Sequence, residues 1–162
     1  IVEVLTAELP NGVAPDVLVD AYCGVGLFAI SASRRFKEVL GIELDNEAIM
    51  MARSNAARQG AGNCTFLAGD ASSTLMRYAS LKGFVADRSV ILVDPPRQGL
   101  DARMRQTLSR LNPQRIVYVS CDYGTQARDF KDLSDSYVCI GITPFDLFPQ
   151  TRHLETVAVL ER

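Results

Sequence analysis

The chain contains no tryptophan, one histidine, His153, and four cysteines in 162 residues. The cysteines, Cys23, Cys64, Cys121 and Cys139, form no C-x-x-C pair, and His153 is far in sequence from each of them. This spacing argues against a metal site such as a zinc centre. So few cysteines in a chain that is 48% apolar also argue against a disulfide framework. We therefore expect a reducing intracellular compartment, with the cytoplasm favoured.

Long apolar runs are missing as well. No stretch approaches the roughly 20 apolar residues of a membrane span, so we expect no membrane association. The segment Ile1–Leu5 has neither a basic region nor a cleavage site typical of a signal peptide. The length fits one domain, residues 1–162, and the absence of an initiator methionine leads us to interpret it as a piece of a longer protein.

A strong positive charge is also absent, since the formal net charge is −2 and the pI about 5.4. This balance argues against an autonomous nucleic-acid-binding domain, which needs Lys and Arg for phosphate contacts. The charge is nevertheless uneven. One segment carries a single acid, Asp101, and five arginines: Arg97, Arg103, Arg105, Arg110 and Arg115. It predicts either a solvated helix face or a surface that contacts phosphates.

Short apolar runs alternate with amphipathic segments along the chain. Strands followed by helices predict an α/β fold with a mostly parallel, doubly wound sheet. The last two predicted strands have no helix between them, which indicates an antiparallel final strand. The predicted strands are 17–21, 39–44, 65–68, 89–93, 115–120, 137–142 and 154–160, and the predicted helices are 1–9, 25–35, 46–59, 71–81, 102–111 and 125–133.

Ligands of such sheets bind beyond the carboxyl ends of the strands. After the first strand lies a glycine-rich turn that begins at Asp20 and includes Gly24 and Gly26, which allow close approach of a ligand to the backbone. Glu43 ends the second strand, 23 residues after Asp20. An acidic residue at this sequence spacing is typical of one that binds ribose hydroxyls. The third glycine of a dinucleotide fingerprint is missing. This favours S-adenosylmethionine, which has no pyrophosphate.

Two further side chains are candidates at this cofactor site. Asp70 follows the third strand, where it either accepts a hydrogen bond from the adenine amino group or caps the next helix. Tyr22 belongs either to the core or to the surface along the methionine arm. Cys23 is interpreted as a small packing residue.

The fourth strand is followed by Asp94-Pro95-Pro96-Arg97. Two prolines fix φ and remove two backbone donors, so they predict a rigid loop that holds Asp94 at the rim. Arg97 suits phosphate or a carbonyl oxygen better than stacking on a base. An ordinary turn is the simpler interpretation of this segment.

Cys121 ends the fifth strand and is a candidate nucleophile, although buried packing is the commoner role of a cysteine. His153 and Glu155 are two residues apart where the last strand begins, so they share a face, while Leu154, Val157 and Val159 are expected to fill the other. Glu155 is a candidate general base, and a solvated edge pair is the alternative.

Taken together and in their order along the chain, these segments resemble those of the uracil-5-methyltransferase family that acts on transfer or ribosomal RNA. The resemblance covers nearly the whole chain and implies a Rossmann-like class I methyltransferase sheet with a reversed last strand. The segments that carry it are Asp20-Ala21-Tyr22-Cys23-Gly24-Val25-Gly26, Asp94-Pro95-Pro96-Arg97-Gln98-Gly99, Val119-Ser120-Cys121 and Phe148-Pro149-Gln150-Thr151-Arg152-His153-Leu154-Glu155.

The resemblance implies that residues 1–162 form a catalytic domain that transfers a methyl group from S-adenosylmethionine to carbon 5 of uridine in RNA, with transfer RNA favoured over ribosomal RNA. Cys121 matches the nucleophile that adds to carbon 6, and Glu155 matches the base that removes the carbon 5 proton. Tyr22, Glu43 and Asp94 match cofactor-contacting positions. Substrate contacts are expected from Asp94, Arg97 and His153.

The sequence departs from the family in two respects. Asp122 follows Cys121 where asparagine is usual, and a carboxylate there either raises the pKa of the thiol or points away from it. The substrate-binding region that usually precedes this domain has no counterpart within residues 1–162, and we expect it in the longer protein. Two other functions are considered: methylation of another base, such as cytosine carbon 5 or an exocyclic amine, and a non-catalytic cofactor-binding interaction module.

Overall fold

The computed structural model describes residues 1–82, 84–147, 149–150 and 154–162. Helices and strands alternate through most of the chain, as the sequence predicts. The helices are α1 (Val2–Thr6), α2 (Leu27–Ala32), α3 (Asn46–Gln59), α4 (Ala71–Lys82), α5 (Ala102–Leu111) and α6 (Tyr123–Leu133), and the strands are β1 (Val17–Asp20), β2 (Glu38–Glu43), β3 (Cys64–Ala68), β4 (Ser89–Val93), β5 (Arg115–Ser120), β6 (Val138–Phe145) and β7 (Glu155–Glu161). Short 3-10 turns cover Ser33–Arg35 and Ala86–Arg88.

The described strands form one sheet with the order β3-β2-β1-β4-β5-β7-β6. Strands β1 to β5 pair in parallel, and β7 lies antiparallel between β5 and β6. The order reverses between β1 and β4, where doubly wound sheets bind their ligands. The predicted fold class, a mostly parallel α/β sheet with a reversed last strand, is confirmed.

Each face of the sheet is covered by three helices. Apolar side chains of α1, α2 and α3 pack on one face, and those of α4, α5 and α6 pack on the other. All five residues of β4 and all six of β5 are buried, as expected for central strands covered on both faces. The sheet is therefore a rigid base for the loops at its carboxyl edge.

Two predicted helices are shorter in the structure, for local reasons. The predicted helix 1–9 ends at Thr6, because the backbone of Ala7 is extended, with φ −61° and ψ 148°. The predicted helix 25–35 begins only at Leu27, because Gly26 is left-handed, with φ 88°. The glycine turn is thus longer than predicted.

Arg115 is buried, which corrects its assignment to a phosphate-contacting surface. Its Nε donates to Glu161 Oε1 at 2.8 Å. Its Nη atoms donate to the carbonyl oxygens of Val4, Ala7 and Glu8 at 3.0, 2.8 and 2.8 Å. The guanidinium therefore caps the end of α1 and fastens it to the sheet, and it is not available to RNA.

Replacing Arg115 with methionine is expected to lower the free energy of unfolding by about 3–5 kcal/mol, because Glu161 would lose its buried partner. The exposed control Arg110→Met is expected to change it by less than about 0.5 kcal/mol. Urea unfolding compares the two variants, and equal effects would contradict the structural role of Arg115.

Candidate active site

The glycine-rich turn lies between β1 and α2 at the carboxyl edge of the sheet. Gly24 and Gly26 have φ values of 50° and 88°, in the left-handed region that favours glycine. A Cβ atom at Gly24 would meet nothing within 4 Å, whereas one at Gly26 would lie 2.9 Å from the Ile30 side chain. Gly24 therefore faces open space, and Gly26 is needed for packing.

Glu43 reaches this turn from the end of β2. Its Oε2 accepts a hydrogen bond from the Gly24 amide at 3.1 Å. Its Oε1 accepts from the amides of Leu44 and Asp45 at 2.7 and 3.1 Å. The structure thus brings Glu43 and Gly24 together, as the sequence predicts.

Asp20 is completely buried beneath the same turn. Its Oδ2 accepts from the Ala29 amide at 3.1 Å, and its Oδ1 has no hydrogen-bond partner among the described residues. Burial is the main reason that the pKa of Asp20 is raised from 3.8 to about 7, and the charges of Asp94 and Glu43 add to the effect.

The raised pKa makes the stability of the protein depend on pH. Between about pH 4 and 7 the folded state holds a proton on Asp20 that the unfolded state has released, so stability falls as the pH rises. Asp20→Asn removes this dependence. We expect its stability relative to wild type to increase by up to about 4 kcal/mol from pH 4 to pH 8.

Urea unfolding at both pH values measures this difference. The exposed variant Asp135→Asn, used as a control, is expected to stay within about 0.5 kcal/mol of wild type. A pH-independent effect of Asp20→Asn would contradict the shifted pKa.

Asp70 caps α4, which is one of its two predicted roles. Its Oδ1 accepts from the Ser73 amide at 2.9 Å and from the Ser73 hydroxyl at 2.6 Å, and these bonds lower its pKa. Its contact with adenine stays a prediction. Tyr22 is half-buried against the core face shared by α4, α5 and α6, and burial raises its pKa.

Three side chains from neighbouring strands form a row on one face of the sheet. Cys121 lies one residue beyond Ser120, the last β5 residue paired with β7, and Glu155 precedes Thr156, the partner of Ser120. The antiparallel register therefore places Cys121 and Glu155 side by side on the same face. Phe145 of β6 pairs directly with Glu155. The row Cys121–Glu155–Phe145 unites both predicted catalytic residues.

A second row lies one step deeper along the same face. Val119 pairs with Val157, and Asp94 follows Val93, the partner of Tyr118, at the level of Val119. The expectation that Val157 and Val159 lie opposite Glu155 is wrong, because residues two and four positions along a strand share its face. The opposite face carries Thr156, Ala158 and Leu160.

These rows form the floor of a cleft of about 650 Å³. Burial, and then the charge of Glu155, raise the pKa of Asp94 from 3.8 to about 6. The cleft is thus a mainly apolar space that contains one thiol and two carboxylates. Its lining is Ile1, Val2, Leu27, Phe28, Ser31, Asp94, Val119, Cys121, Phe145, Leu147, Glu155 and Val157.

Asp122 has a structural role at the start of α6. Its Oδ1 accepts from the Thr125 amide at 2.9 Å, and this bond is the main reason that its pKa is lowered. The carboxylate is directed to the helix terminus, which favours the second of the two predicted possibilities for this departure from the family.

The arginine-rich segment divides into separate environments. Arg97, Arg103 and Arg110 are exposed, whereas Arg105 is bound to the carboxylates of Asp129 and Asp132 at 3.2 and 2.8 Å. The prediction of a phosphate-contacting surface is therefore wrong for Arg105 as well as for Arg115, and it stays a prediction for the exposed three. His153 lies outside the described residues.

Two buried polar residues near the site were missed by the sequence analysis. Gln126 and Asp129, both on α6, are 3% and 0% exposed. The signal available in the sequence was their spacing, because positions 126, 129 and 133 lie on one face of a helix and Leu133 is apolar.

Neither a metal-binding cluster nor a membrane-spanning helix occurs among the described residues. In that part of the chain, His, Cys, Asp and Glu side chains form no group of three able to hold a metal ion. None of the helices found there combines the length and apolar character needed to cross a bilayer.

Similarity to known proteins covers nearly the whole chain. A protein of Staphylococcus epidermidis named uncharacterized RNA methyltransferase is 42% identical over 147 residues, which are 91% of this chain and 32% of the relative. An RNA methyltransferase of Gloeobacter violaceus with the same description is 41% identical over 159 residues, 98% of this chain and 33% of the relative. The chain thus spans about a third of the length of these relatives.

Solved structures of methyltransferases are also similar to this chain. Pyrococcus abyssi tRNA (uracil-54, C5)-methyltransferase, in complex with S-adenosyl-L-homocysteine, superposes with a TM-score of 0.74 and 35% identity over 90% of this chain and 34% of its own. An rRNA methylase from Streptococcus thermophilus, at 12% identity and a TM-score of 0.71, covers 99% of this chain and 93% of its own and shares the fold. Residues 6–162 match the model described as tRNA (Uracil-5-)-methyltransferase, so the chain belongs to that family.

Proposed function

We propose that this domain transfers a methyl group from S-adenosylmethionine to carbon 5 of uridine in RNA, through a covalent bond between Cys121 and the base. The observation that carries the proposal is the adjacency of Cys121, directly after β5, and Glu155, the first residue of β7, in a cleft with Asp94. A nucleophile and a base on the same face are what this substitution requires. Membership of the family supports the same reaction.

The chemistry gives each side chain a defined task. Carbon 5 of uracil is a weak nucleophile, so the Cys121 thiolate first adds to carbon 6, and the electron pair of the double bond moves into an enolate. The activated carbon 5 takes the methyl group that the cofactor supplies. Glu155 then removes the proton from carbon 5, the double bond reforms, and the Cys121–carbon 6 bond breaks. Thiolate, methylated uridine, protonated Glu155 and S-adenosylhomocysteine, the sulfide left when the S–CH3 bond breaks, result.

The cofactor is S-adenosylmethionine, which supplies an electrophilic methyl group. The edge around the glycine turn fits it: Gly24 faces open space, Glu43 accepts a hydrogen bond from the turn, and Asp20 accepts one from the first turn of α2. Carboxylates bind ribose hydroxyls at such sites. The residues proposed to hold the cofactor are Asp20, Tyr22, Gly24, Gly26, Glu43, Asp70 and Asp94.

RNA is the proposed partner, with transfer RNA favoured. The solved relative that acts on uracil 54 of transfer RNA supports this preference. The target uridine must leave its stack to enter a cleft at the sheet edge. Arg97, Arg103 and Arg110 are proposed to contact phosphates, and Asp94 and His153 to contact the base.

The test is incubation of the protein with S-adenosylmethionine and an RNA containing 5-fluorouridine, followed by intact-mass measurement. Fluorine cannot leave carbon 5 as a proton does, so the reaction is expected to stall with one methylated RNA attached to Cys121. Peptide mapping locates the bond. Because the relatives are about three times as long, both this domain and the full-length protein are tested. An adduct on another residue, or methylation of a different base, would contradict the proposal.

A further inference from the structure

Helix α6 buries two polar side chains on the face that packs against the sheet. Gln126 and Asp129 are one helical turn apart, and neither is exposed by more than 3%. Burying an amide and a carboxylate is unfavourable unless they are hydrogen-bonded, whereas apolar residues would pack there without such a cost. The partners of these two side chains therefore indicate what they hold in place.

Asp129 holds the loop that follows Asp94. Its Oδ2 accepts from the Leu100 amide and from the Tyr118 hydroxyl, each at 2.7 Å. Its Oδ1 accepts from Arg128 Nη2 at 2.7 Å, and the same Nη2 donates to the carbonyl oxygen of Gln98 at 2.9 Å.

The loop is built to fit this carboxylate closely. Gly99 has φ 73°, and a Cβ there would lie 2.6 Å from Asp129 Oδ2. The Thr125 hydroxyl, one helical turn before Asp129, donates to the Arg97 carbonyl at 3.1 Å. The segment between Pro96 and Leu100 is thus attached to α6 at several points.

Gln126 holds the ends of the two strands that carry the reactive groups. Its Nε2 donates to the Tyr118 carbonyl of β5 at 3.3 Å, and its Oε1 accepts from the Thr156 hydroxyl of β7 at 3.0 Å. The same hydroxyl lies 3.2 Å from the Ser120 carbonyl. Ser120 and Thr156 are the direct neighbours of Cys121 and Glu155.

We propose that Asp129 and Gln126 are positioning residues, and that α6 acts through them as a brace that fixes Asp94, Cys121 and Glu155 relative to one another. The inference rests on the proposed function for the roles of these three groups. Asp129 sets the loop after Asp94, and Gln126 sets the strand ends beside Cys121 and Glu155. Neither brace residue lines the cleft.

The experiment compares Asp129→Asn with Asp132→Asn in the full-length protein. Both carboxylates bind Arg105, but the side chain of Asp132 is 49% exposed and holds no part of the loop. Methyl transfer from labelled S-adenosylmethionine into total RNA gives kcat without assuming which base is methylated. Amide exchange of residues 97–100 and the Kd of S-adenosylhomocysteine are measured on the same samples.

For Asp129→Asn we expect loop amides to exchange at least about tenfold faster. Displacement of a reactive group by an ångström costs about 100-fold in rate, so kcat should fall on that scale. The Kd should stay within about threefold, because six of the seven residues proposed to hold the cofactor lie outside the loop that Asp129 holds, Asp94 being the exception. Gly99→Ala displaces the loop without removing a hydrogen-bonding group, so it should likewise lower kcat and keep the Kd within about threefold. Asp132→Asn should match wild type in both quantities.

Leu133→Ala separates positioning from general loss of stability. Leu133 is 1% exposed on the same face of α6, and its truncation weakens packing without removing a hydrogen bond. We expect it to keep kcat at temperatures where it is folded. A kcat for Asp129→Asn within threefold of wild type, or an equal loss in folded Leu133→Ala, would overturn the brace. Methyl label in a base other than uridine would contradict the proposed function and leave the brace standing.

Discussion

Cys121→Ala is expected to lose methyl transfer by at least about 10⁴-fold, because Cys121 is the one thiol among the described residues of the cleft and is proposed to form the bond to carbon 6 that activates carbon 5. Binding of S-adenosylhomocysteine should be unchanged, since Cys121 follows β5 and is not among the residues proposed to hold the cofactor. Methyl transfer to RNA and calorimetric binding of S-adenosylhomocysteine measure the two quantities separately.

Cys139→Ala is the matched control. Cys139 is a free cysteine on the edge strand β6, exposed and outside the lining of the cleft. Its replacement is expected to leave the rate within twofold of wild type. Full activity in Cys121→Ala would exclude thiol addition. It would favour methylation of an exocyclic amine, which needs no nucleophilic cysteine.

The architecture could be predicted because local signals and the global fold agree. The run Val90-Ile91-Leu92-Val93 indicates a strand covered on both faces, and it is fully buried in the structure. Helix α3 begins and ends where predicted, since Asp45 accepts a hydrogen bond from the Glu47 amide and Gly60 ends the helix with φ 68°. Because the local sequence signals and the global fold favour the same structure, such elements can be predicted from the sequence alone.

The sequence predicts least well the side chains whose partners are distant in sequence. Arg115 belonged to an arginine-rich segment, but its carbonyl partners at the end of α1 are more than 100 residues away. Asp129 likewise holds a loop 29 residues earlier. Neither charge pattern nor helical spacing specifies such contacts, because they depend on how α1, α6 and the sheet pack together.

The reversed strand β7 explains how the site is assembled. In a parallel sheet the start of a strand lies at the edge opposite the ligand, whereas an antiparallel strand starts at the ligand edge. Glu155 is the first residue of β7, so the reversal brings it to the end of β5 and next to Cys121. A parallel β7 would place the same carboxylate at the far edge of the sheet. The topology is therefore part of the proposed catalytic arrangement.

Glu155→Gln is expected to stop the reaction at a different point from Cys121→Ala. Glutamine cannot accept the carbon 5 proton, so the methylated base should form but stay bonded to Cys121. The expected result is a turnover rate reduced by at least about 10³-fold, together with a stable adduct between the variant and ordinary uridine-containing RNA.

Denaturing gel electrophoresis detects this adduct, and intact mass shows whether the methyl group is present. The double variant Cys121→Ala/Glu155→Gln should form none, and the exposed control Glu8→Gln should turn over normally without accumulating an adduct. An inactive Glu155→Gln with no adduct would assign Glu155 to an earlier step, such as binding the base. Undiminished turnover would exclude it as the base and leave Asp94, the other carboxylate of the cleft, as the candidate.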